Sequence, residues 1–321
     1  MVFASRSESD HKRDLCFTKH TQHLFHHSIM HVLDSLYLSK KLLRHPAENK
    51  GNFGRVVVIG GAKTMSGSLV LAGLGALYTG AGWVKLIPLN PQFPEMIESH
   101  PELMVYHAYP KKPTEVLKVM QPDVIVIGPG LGIDALAYQW LLAAIAYHAP
   151  LVVDADALHL LATHPSLCDL MTDRFETAIL TPHPGEAGFL LHRSPDDIQH
   201  DRHAAAMHMM EMYQSIVILK GNKTLLAHPQ EPILTCLQGN PGMACAGMGD
   251  VLSGAIGSLI AQGSSHHLSA WQACCLAVEI HARSGDLLAE SGVGPIGMTP
   301  SELAKTMRTI FNQAMHAKEL S

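Results

Sequence analysis

Short apolar runs alternate along the chain with longer stretches in which apolar and polar residues recur at helical spacing. Such runs occur at Arg55–Ile59, at Trp83–Pro88, at Leu151–Asp154 and in "DVIVIGPGLG" before Gly128. Their Val and Ile residues are consecutive rather than alternating, which predicts strands that are covered on both faces. Because helical stretches separate these runs, the pattern predicts a doubly wound α/β fold with a mostly parallel sheet.

The remaining strands and helices follow from the same pattern. Two more strands are predicted to end at Thr181 and Lys220, and a hairpin partner begins at Lys223 after a tight turn. Helices are predicted from near Asp156 and Pro184 and at Ser68–Ala81, Ala135–Tyr147, Val251–Ala261, Leu268–Leu288 and Pro300–Ala314. Parallel sheets place ligand sites beyond the carboxyl ends of their strands. Glycine-rich and polar residues should therefore meet at one edge: Gly60-Gly61, Gly128–Gly132, Asp154–Asp156, Thr181–Glu186 and Lys220–Thr224.

The amino-terminal residues differ from the rest of the chain. Residues 1–45 are polar, histidine-rich and weakly periodic, so we predict a partly ordered leader followed by one globular domain at 46–321. The histidines of "HLFHH" in this leader (His23, His26 and His27) are predicted to form a solvated face rather than a metal site. The six cysteines form no CxxC pair and are predicted to be reduced, mostly buried thiols: Cys16, Cys168, Cys236, Cys245, Cys274 and Cys275.

Composition and charge narrow the class of protein. Hydrophobic residues make up 47% of the 321 residues and charged residues 16%, which favours a large core. A net charge of −5 predicts neither a nucleic-acid partner nor a polybasic membrane surface. The uncharged stretch from Ser66 to Val84 contains five glycines, so a buried helix and a strand are predicted there rather than a membrane span. With no apolar run of signal-peptide length at the amino terminus, we expect a soluble cytoplasmic protein.

One stretch carries candidate chemistry. "GNPGMACAGMGDVLSG" (239–254) surrounds a single carboxylate, Asp250, with five glycines. If Gly247–Asp250 is the turn into a helix, its free N–H groups and the helix dipole form an anion hole for a phosphoryl group. Asp250 would then accept a proton from a hydroxyl nucleophile. The alternative is an ordinary N-cap, but a cap needs none of the glycines. Neither GxxxxGK[ST] nor a GxGxxG at the first helix is present.

The sequence resembles a known family at this point. "AGMGDVLSG" resembles the GxGD motif of ribokinase-like sugar and vitamin kinases. Across about residues 50–290, an ordered set of motifs is similar to that of ADP- or ATP-dependent NAD(P)H-hydrate dehydratases: "HPELM", "GPGLG", "LVVDADALHLL", "LTPHPGE", "LKGNKT" and "NPGMACAGMGDVLSG". The resemblance implies a ribokinase-like three-layer α/β sandwich, with a mostly parallel central sheet and helices on both faces.

The resemblance also implies a metabolite-repair lyase. Such an enzyme returns the S-epimers of NADH hydrate and NADPH hydrate to NADH and NADPH. It phosphorylates the ring hydroxyl with ADP or ATP, in the presence of Mg²⁺, and then eliminates phosphate. Relatives with an additional epimerase activity carry a further domain, for which the leader is too short, so we expect the dehydratase alone. A homo-oligomer, commonly a tetramer, is implied as well.

Residue roles are implied by the resemblance, each beside a structural alternative. Asp250 would be the general base and contact the substrate, together with Ser68, Gly130, Gly132 and His183. The nucleotide would be bound by Lys220, Gly221, Asn222, Lys223, Thr224, Gly247 and Gly249. Glu186 would hold Mg²⁺ through water. Each assignment has a structural alternative. Residues 220–224 could be a plain hairpin turn, and residues 130–132 a routine strand–helix turn. His183 could have a purely structural role, and Glu186 could favour the helix terminus.

Some features leave the site's details open. Asp154 and Asp156 either cap the next helix or lie in the site, and capping is favoured for Asp156. Ser68 stands where the family usually has alanine, and Met65 stands where tyrosine is common. Two rival functions also fit the sequence. One is a ribokinase-like kinase of a small vitamin alcohol such as hydroxyethylthiazole, and the other is a non-catalytic nucleotide sensor.

Overall fold

The computed structural model describes residues 30–316. Within this range one sheet contains ten strands: β1 (His31–Val32), β2 (Arg55–Gly60), β3 (Trp83–Pro88), β4 (Met104–Val105), β5 (Val124–Ile127), β6 (Leu151–Val153), β7 (Ala178–Leu180), β8 (Ile216–Leu219), β9 (Leu225–His228) and β10 (Glu231–Thr235). Their order across the sheet is β1-β10-β9-β8-β7-β6-β5-β2-β3-β4. All neighbours are parallel except β8–β9 and β9–β10, so the mostly parallel sheet is confirmed.

Eleven α-helices lie in the described range: α1 (Ser66–Tyr78), α2 (Pro113–Met120), α3 (Ala135–Ala146), α4 (Ala155–Thr163), α5 (Pro165–Thr172), α6 (Pro184–Leu191), α7 (Pro195–His200), α8 (Arg202–Tyr213), α9 (Met248–His266), α10 (Ala270–Glu290) and α11 (Pro300–His316). Helices α1, α9, α10 and α11 share one core with the sheet, and α2–α8 share the other. This arrangement is the predicted three-layer sandwich.

The central strands show why their apolar runs are continuous. Val56 and Val58 of β2 belong to the core beneath α9, whereas Val57 and Ile59 belong to the core beneath α3. Successive strand residues point to opposite faces, and all four side chains are fully buried. A strand covered on both faces therefore needs an apolar residue at every position, as the sequence predicts.

Close contact between α1 and α9 fixes the position of the glycine-rich motif. A Cβ atom on Gly254 would overlap the carbonyl oxygen of Ala72, and one on Gly75 would overlap that of Val251. The missing side chains let the two backbones meet. Helix α9 is thereby held against α1 along its first two turns, which places its amino terminus at the carboxyl edge of the sheet.

Part of the predicted leader packs against the sheet and its helices. Strand β1 pairs with β10, and the following 3₁₀ helix, Leu36–Leu42, buries Leu38 and Leu42 in the core. The Ser35 hydroxyl donates a 2.7 Å hydrogen bond to the buried Glu279 carboxylate. Residues 31–42 of the predicted leader therefore pack with the domain that the sequence predicts from residue 46. Cys16, His23, His26 and His27 lie outside the described residues.

The predicted elements are found, with shifted ends. The glycine-rich motif opens a helix that is longer than predicted, Met248–His266 instead of Val251–Ala261. The uncharged stretch from Ser66 is α1 followed by the start of β3, and within residues 30–316 no helix is long and apolar enough to span a membrane. The five cysteines in that range are free thiols, and three of them are buried, as predicted.

Candidate functional site

A cleft of about 790 Å³ opens at the carboxyl edge of the sheet. The hairpin turn after β8 (Lys220–Thr224) forms one wall, and the glycine-rich segment, defined here as Gly239–Asp250, forms the other. Asp154, His183 and Glu186 lie between these walls. The residues that follow β6, β7 and β8 therefore meet at one place, as the parallel topology requires, whereas Gly60-Gly61 and Gly128–Gly132 do not line the cleft.

The amino terminus of α9 faces this cleft without a capping side chain. Its N-cap is Gly247, which has φ +95° and makes no side-chain hydrogen bond to the helix. The Met248 N–H donates to the Cys245 carbonyl oxygen at 3.4 Å, which leaves the N–H groups of Gly249 and Asp250 for an anion, with the positive end of the helix dipole behind them. Asp250 is the third residue of the helix, not its N-cap, so the alternative capping interpretation is wrong.

Two glycines shape the turn before Asp250. The positive φ of Gly247 belongs to a region that side chains rarely adopt, and a Cβ there would overlap Leu71. A Cβ on Gly249 would lie 3.0 Å from Lys220 Nζ and 3.9 Å from Asp154 Oδ2. The backbone at Gly249 therefore approaches the charged groups at the base of the cleft closely, and any larger residue would fill that space.

An ion pair lies at the base of the cleft. Lys220 Nζ is 2.7 Å from Asp154 Oδ1 and 3.8 Å from Glu186 Oε2. Burial disfavours the lysine charge, but Asp154 and Glu186 outweigh it, so the pKa of Lys220 is raised. Asp154, which is 1% exposed, depends on Lys220 for its charge compensation. Asp154 occupies the N-cap position of α4, but its side chain makes no capping hydrogen bond and lines the cleft instead.

Asp250 is a half-buried carboxyl group at the wall of the cleft. Burial and the negative charge of Asp154 raise its pKa to about 7, against the lowering effects of the Ser68 hydroxyl and Lys220. A carboxyl group with this pKa exchanges its proton near neutral pH, which is what a general base requires. Ser68 reaches the site by donating a hydrogen bond to Asp250.

His183 and Glu186 cap helix α6 together. His183 Nδ1 accepts hydrogen bonds from the N–H groups of Gly185 (3.0 Å) and Glu186 (3.2 Å). The Glu186 carboxylate accepts one from the His183 N–H at 2.8 Å. This is a capping box, and it leaves His183 Nδ1 without a proton. Burial is the largest of the effects that raise the pKa of Glu186. The helix-terminus role left open for Glu186 is thus confirmed.

Three predicted substrate residues are not among the residues that line the cleft: Ser68, Gly130 and Gly132. The Gly130 carbonyl accepts a 2.6 Å hydrogen bond from the Ala62 N–H, and the Gly132 N–H donates to Asp156 Oδ2 at 2.8 Å. The expected cap at Asp156 is wrong, because its side chain holds this neighbouring turn instead and the N-cap of α4 is Asp154.

Other residues of the site were not predicted. His281 of α10 lines the cleft, and Asp286 of the same helix bonds to the start of the glycine-rich segment. Arg202 of α8 donates to the carbonyl oxygens of Leu219 (3.0 Å) and Lys220 (3.2 Å) and so supports the hairpin turn. The one available signal was a group of charged and polar residues within a mostly apolar helix, "EIHARSGDLL".

Comparison with known proteins bears on this site. Residues 56–309 match a family model described as NAD(P)H-hydrate dehydratase. The chain is 37% identical over 269 residues to the bifunctional NAD(P)H-hydrate repair enzyme Nnr of Escherichia coli, with 84% of this chain and 50% of that protein covered. It therefore spans about half the length of that relative. It is also 36% identical to the ADP-dependent (S)-NAD(P)H-hydrate dehydratase of Neisseria meningitidis, with 83% and 87% covered.

A solved structure supports the fold. A ribokinase-like superfamily protein from Enterococcus faecalis superposes with a TM-score of 0.72 at 26% identity. The superposition covers 91% of this chain and 99% of that protein. The ribokinase-like three-layer sandwich predicted from the motifs is therefore confirmed.

Proposed function

The chain belongs to the NAD(P)H-hydrate dehydratase family, and on that basis we propose that it repairs NADH hydrate and NADPH hydrate. It acts on the S-epimers, uses ADP or ATP as the phosphoryl donor, and returns NADH and NADPH. One observation carries this proposal. A carboxyl group with a pKa of about 7, Asp250, stands in the first turn of an uncapped helix that lines a cleft.

The first step is phosphoryl transfer to the ring hydroxyl of the hydrate. Asp250 accepts the hydroxyl proton as the oxygen attacks the terminal phosphorus of the nucleotide. The bond between that phosphorus and its bridging oxygen breaks, which leaves ADP from ATP or AMP from ADP. The N–H groups of the first turn of α9 face the charge on the transferred group, and Gly247 and Gly249 allow its close approach.

The second step is elimination. The carbon–oxygen bond to the new phosphate ester breaks, and inorganic phosphate leaves with the bonding electrons. The ring loses a proton from the neighbouring carbon, and the double bond of the reduced nicotinamide is restored. The same helix terminus stabilises the departing phosphate, because its N–H groups and dipole favour negative charge. One nucleotide is consumed for each hydrate repaired.

The nucleotide and the hydrate contact different parts of the site in this proposal. Lys220, Gly221, Asn222, Lys223 and Thr224 line one wall as a hairpin turn and hold the phosphates. His183 lies at the cleft, and Ser68 reaches Asp250, so both adjoin the hydrate. Gly130 and Gly132 contribute through the loop that contacts Met65 just before α1.

The donor set fits Mg²⁺ carried by the nucleotide. Among residues 30–316 no group of three or more His, Cys, Asp or Glu side chains could hold a metal ion. Mg²⁺ needs no such cage, because it keeps several waters and binds substrate phosphates with one or two carboxylates. Glu186, beside Lys220 in the cleft, would hold it through water. Mg²⁺ would supply charge neutralisation on the phosphates.

The proposal also covers the oligomeric state and the cellular location of the protein. We infer a cytoplasmic homo-oligomer, a tetramer, with no nucleic-acid or membrane partner. Light scattering of the purified chain measures the mass of the assembly, and a monomer at micromolar concentration would contradict the tetramer.

A repair assay tests the proposed function. NADH hydrate, Mg²⁺ and the protein are incubated with ADP or ATP in parallel, and absorbance is followed at the reduced-nicotinamide band. We expect absorbance to return with at least one nucleotide, with one inorganic phosphate released per NADH. No return of absorbance, together with phosphorylation of hydroxyethylthiazole, would support the vitamin kinase. Nucleotide binding without any turnover would support the sensor.

A further inference from the structure

Helix α10 holds the start of the glycine-rich segment through one carboxylate. Asp286 Oδ2 accepts a hydrogen bond from the Gly239 N–H at 2.8 Å, and Asp286 Oδ1 accepts one from Asn240 Nδ2 at 3.1 Å. Asn240 in turn accepts a 2.9 Å hydrogen bond from the Gly242 N–H through its Oδ1. Both oxygens of Asp286 are therefore used, and the restraint continues into the short 3₁₀ helix Pro241–Met243.

The same helix contacts the segment at two more points. Gly285, next to Asp286, leaves room for Met243, because a Cβ there would overlap the Met243 sulfur. One turn earlier, His281 Nε2 donates a 3.0 Å hydrogen bond to the Met248 carbonyl oxygen. Burial lowers the pKa of His281 to about 4, so the ring is neutral. Asp286, Gly285 and His281 thus meet the beginning, the middle and the end of the segment.

The part of the segment between these contacts has little structure of its own to hold it. Ala244, Cys245 and Ala246 are exposed and belong to no helix or strand. Glycines on both sides increase the number of backbone conformations that an unrestrained segment can adopt. A cleft wall that must meet phosphates in one geometry therefore needs restraint from outside, and α10 supplies it.

We propose that Asp286 is a positioning residue that holds the glycine-rich segment in the conformation that binds the nucleotide phosphates. It touches neither phosphate nor hydrate and acts through Gly239 and Asn240. The carboxylate is free for this role because the nearest arginine on its helix, Arg283, pairs with Glu279 at 2.7 Å. This inference rests on the proposed function for the identity of the ligand, but the restraint itself does not depend on it.

Three variants test the role. Asp286→Ala removes both acceptors, and Asp286→Asn keeps one oxygen acceptor and replaces the other with a donor. Glu290→Ala is the matched control, because it removes an exposed carboxylate one turn further along α10 that makes no hydrogen bond to the segment. Thermal unfolding of all three is measured first, and midpoints within a few degrees of the parent show that the fold is kept.

Kinetics give the first readout. A misplacement of about 1 Å at a reacting group costs on the order of 10²-fold in rate. We expect Asp286→Ala to lower kcat/KM for the nucleotide by about that factor while KM for the hydrate changes less than threefold. Asp286→Asn should fall between, and Glu290→Ala should match the parent. Equal activity of Asp286→Ala and the parent would overturn the proposal, and so would equal losses in Asp286→Ala and Glu290→Ala.

Labelling of Cys245 gives a readout without turnover. In a Cys16→Ser/Cys168→Ser background, the three buried cysteines react slowly, and a thiol reagent reports on the exposed Cys245. We expect saturating ADP to slow the labelling of Cys245 in the parent. The ratio of the labelling rates without and with ADP should be at least fivefold smaller in Asp286→Ala. Unchanged protection would contradict the positioning role. If no protein repairs the hydrate but protection is still lost in Asp286→Ala, the positioning role stands and the proposed function fails.

Discussion

The ammonium group of Lys220 lies 2.7 Å from Asp154 Oδ1, directly behind the backbone of Gly249. Asp154 is 1% exposed, so this ion pair forms in a largely desolvated place. Lys220 consequently has two tasks: it neutralises Asp154, and it presents positive charge to the cleft wall where the phosphates are proposed to bind. The charge of Asp154 also raises the pKa of Asp250, which links the pair to the base.

Breaking this pair on one side should destabilise the fold. Lys220→Met leaves the Asp154 carboxylate buried without a counter-charge, which costs about 3 kcal/mol of the free energy of unfolding. The double variant Asp154→Asn/Lys220→Met should recover at least half of that loss, because the uncompensated charge is gone. Urea unfolding measures both. A double variant no more stable than Lys220→Met would show that the pair is not coupled as described.

The two glycines before Asp250 should respond differently to alanine. Gly247→Ala places a side chain at φ +95° against Leu71, and we expect a loss of about 1–3 kcal/mol in the free energy of unfolding. Gly249→Ala brings a Cβ to 3.0 Å from Lys220 Nζ and 3.9 Å from Asp154 Oδ2 without overlapping any backbone atom, so stability should fall by less than about 1 kcal/mol. Its nucleotide affinity should nevertheless fall about tenfold or more. Equal losses of stability in the two variants would contradict this distinction.

The pH dependence of catalysis should follow Asp250. A base with a pKa of about 7 is active only when deprotonated, so kcat/KM for the hydrate should fall about tenfold per pH unit below that value. Ser68→Ala removes a hydrogen bond that lowers this pKa, and the acid limb should move to higher pH. Nucleotide binding measured at each pH is the control. If Ser68→Ala leaves the acid limb at the same pH, the limb does not report the ionisation of Asp250.

The charged Asp250 carboxylate should also lower the free energy of unfolding at neutral pH. Its pKa in the folded protein, about 7, lies above its ordinary value of 3.8. The folded state therefore binds the proton more tightly, and this contribution favours folding at low pH and is lost as the pH rises through 4 to 7. Asp250→Asn should raise the free energy of unfolding by roughly 1–3 kcal/mol at pH 8 and by much less at pH 4. The same gain at both pH values would contradict the raised pKa.

The layers and strand positions could be predicted from sequence because apolar periodicity reports burial. Val56–Ile59 alternate between two cores, and only a strand covered on both faces requires this. The start of the fold could not be predicted in the same way. The segment His31–Leu42 is short and partly polar. It is held by residues that are distant in the sequence, as Ser35 is held by Glu279. Local pattern carries no information on such contacts.

Some residues of the candidate site could likewise be predicted from the sequence, and others could not. Asp250, Gly247 and Gly249 stand in a compact motif whose backbone requirements are local, so their position at the start of a helix could be predicted from the sequence. Asp154 pairs with Lys220, 66 residues away, and Asp286 bonds to Asn240, 46 residues away. Only the folded chain brings these partners together. The preferred capping role of Asp156 was wrong for the same reason, because its acceptor oxygen meets Gly132 from a different loop.

The most direct test of the central claim compares turnover with nucleotide binding in Asp250→Asn. In the proposed mechanism Asp250 accepts the proton and the N–H groups of α9 contact the phosphates, so turnover and nucleotide binding should respond differently to its replacement. We expect single-turnover repair of NADH hydrate to fall by about 10³-fold or more, while the Kd for the nucleotide stays within about threefold of the parent. Repair at the parent rate in Asp250→Asn would contradict the assignment of the base, and with it the proposed mechanism.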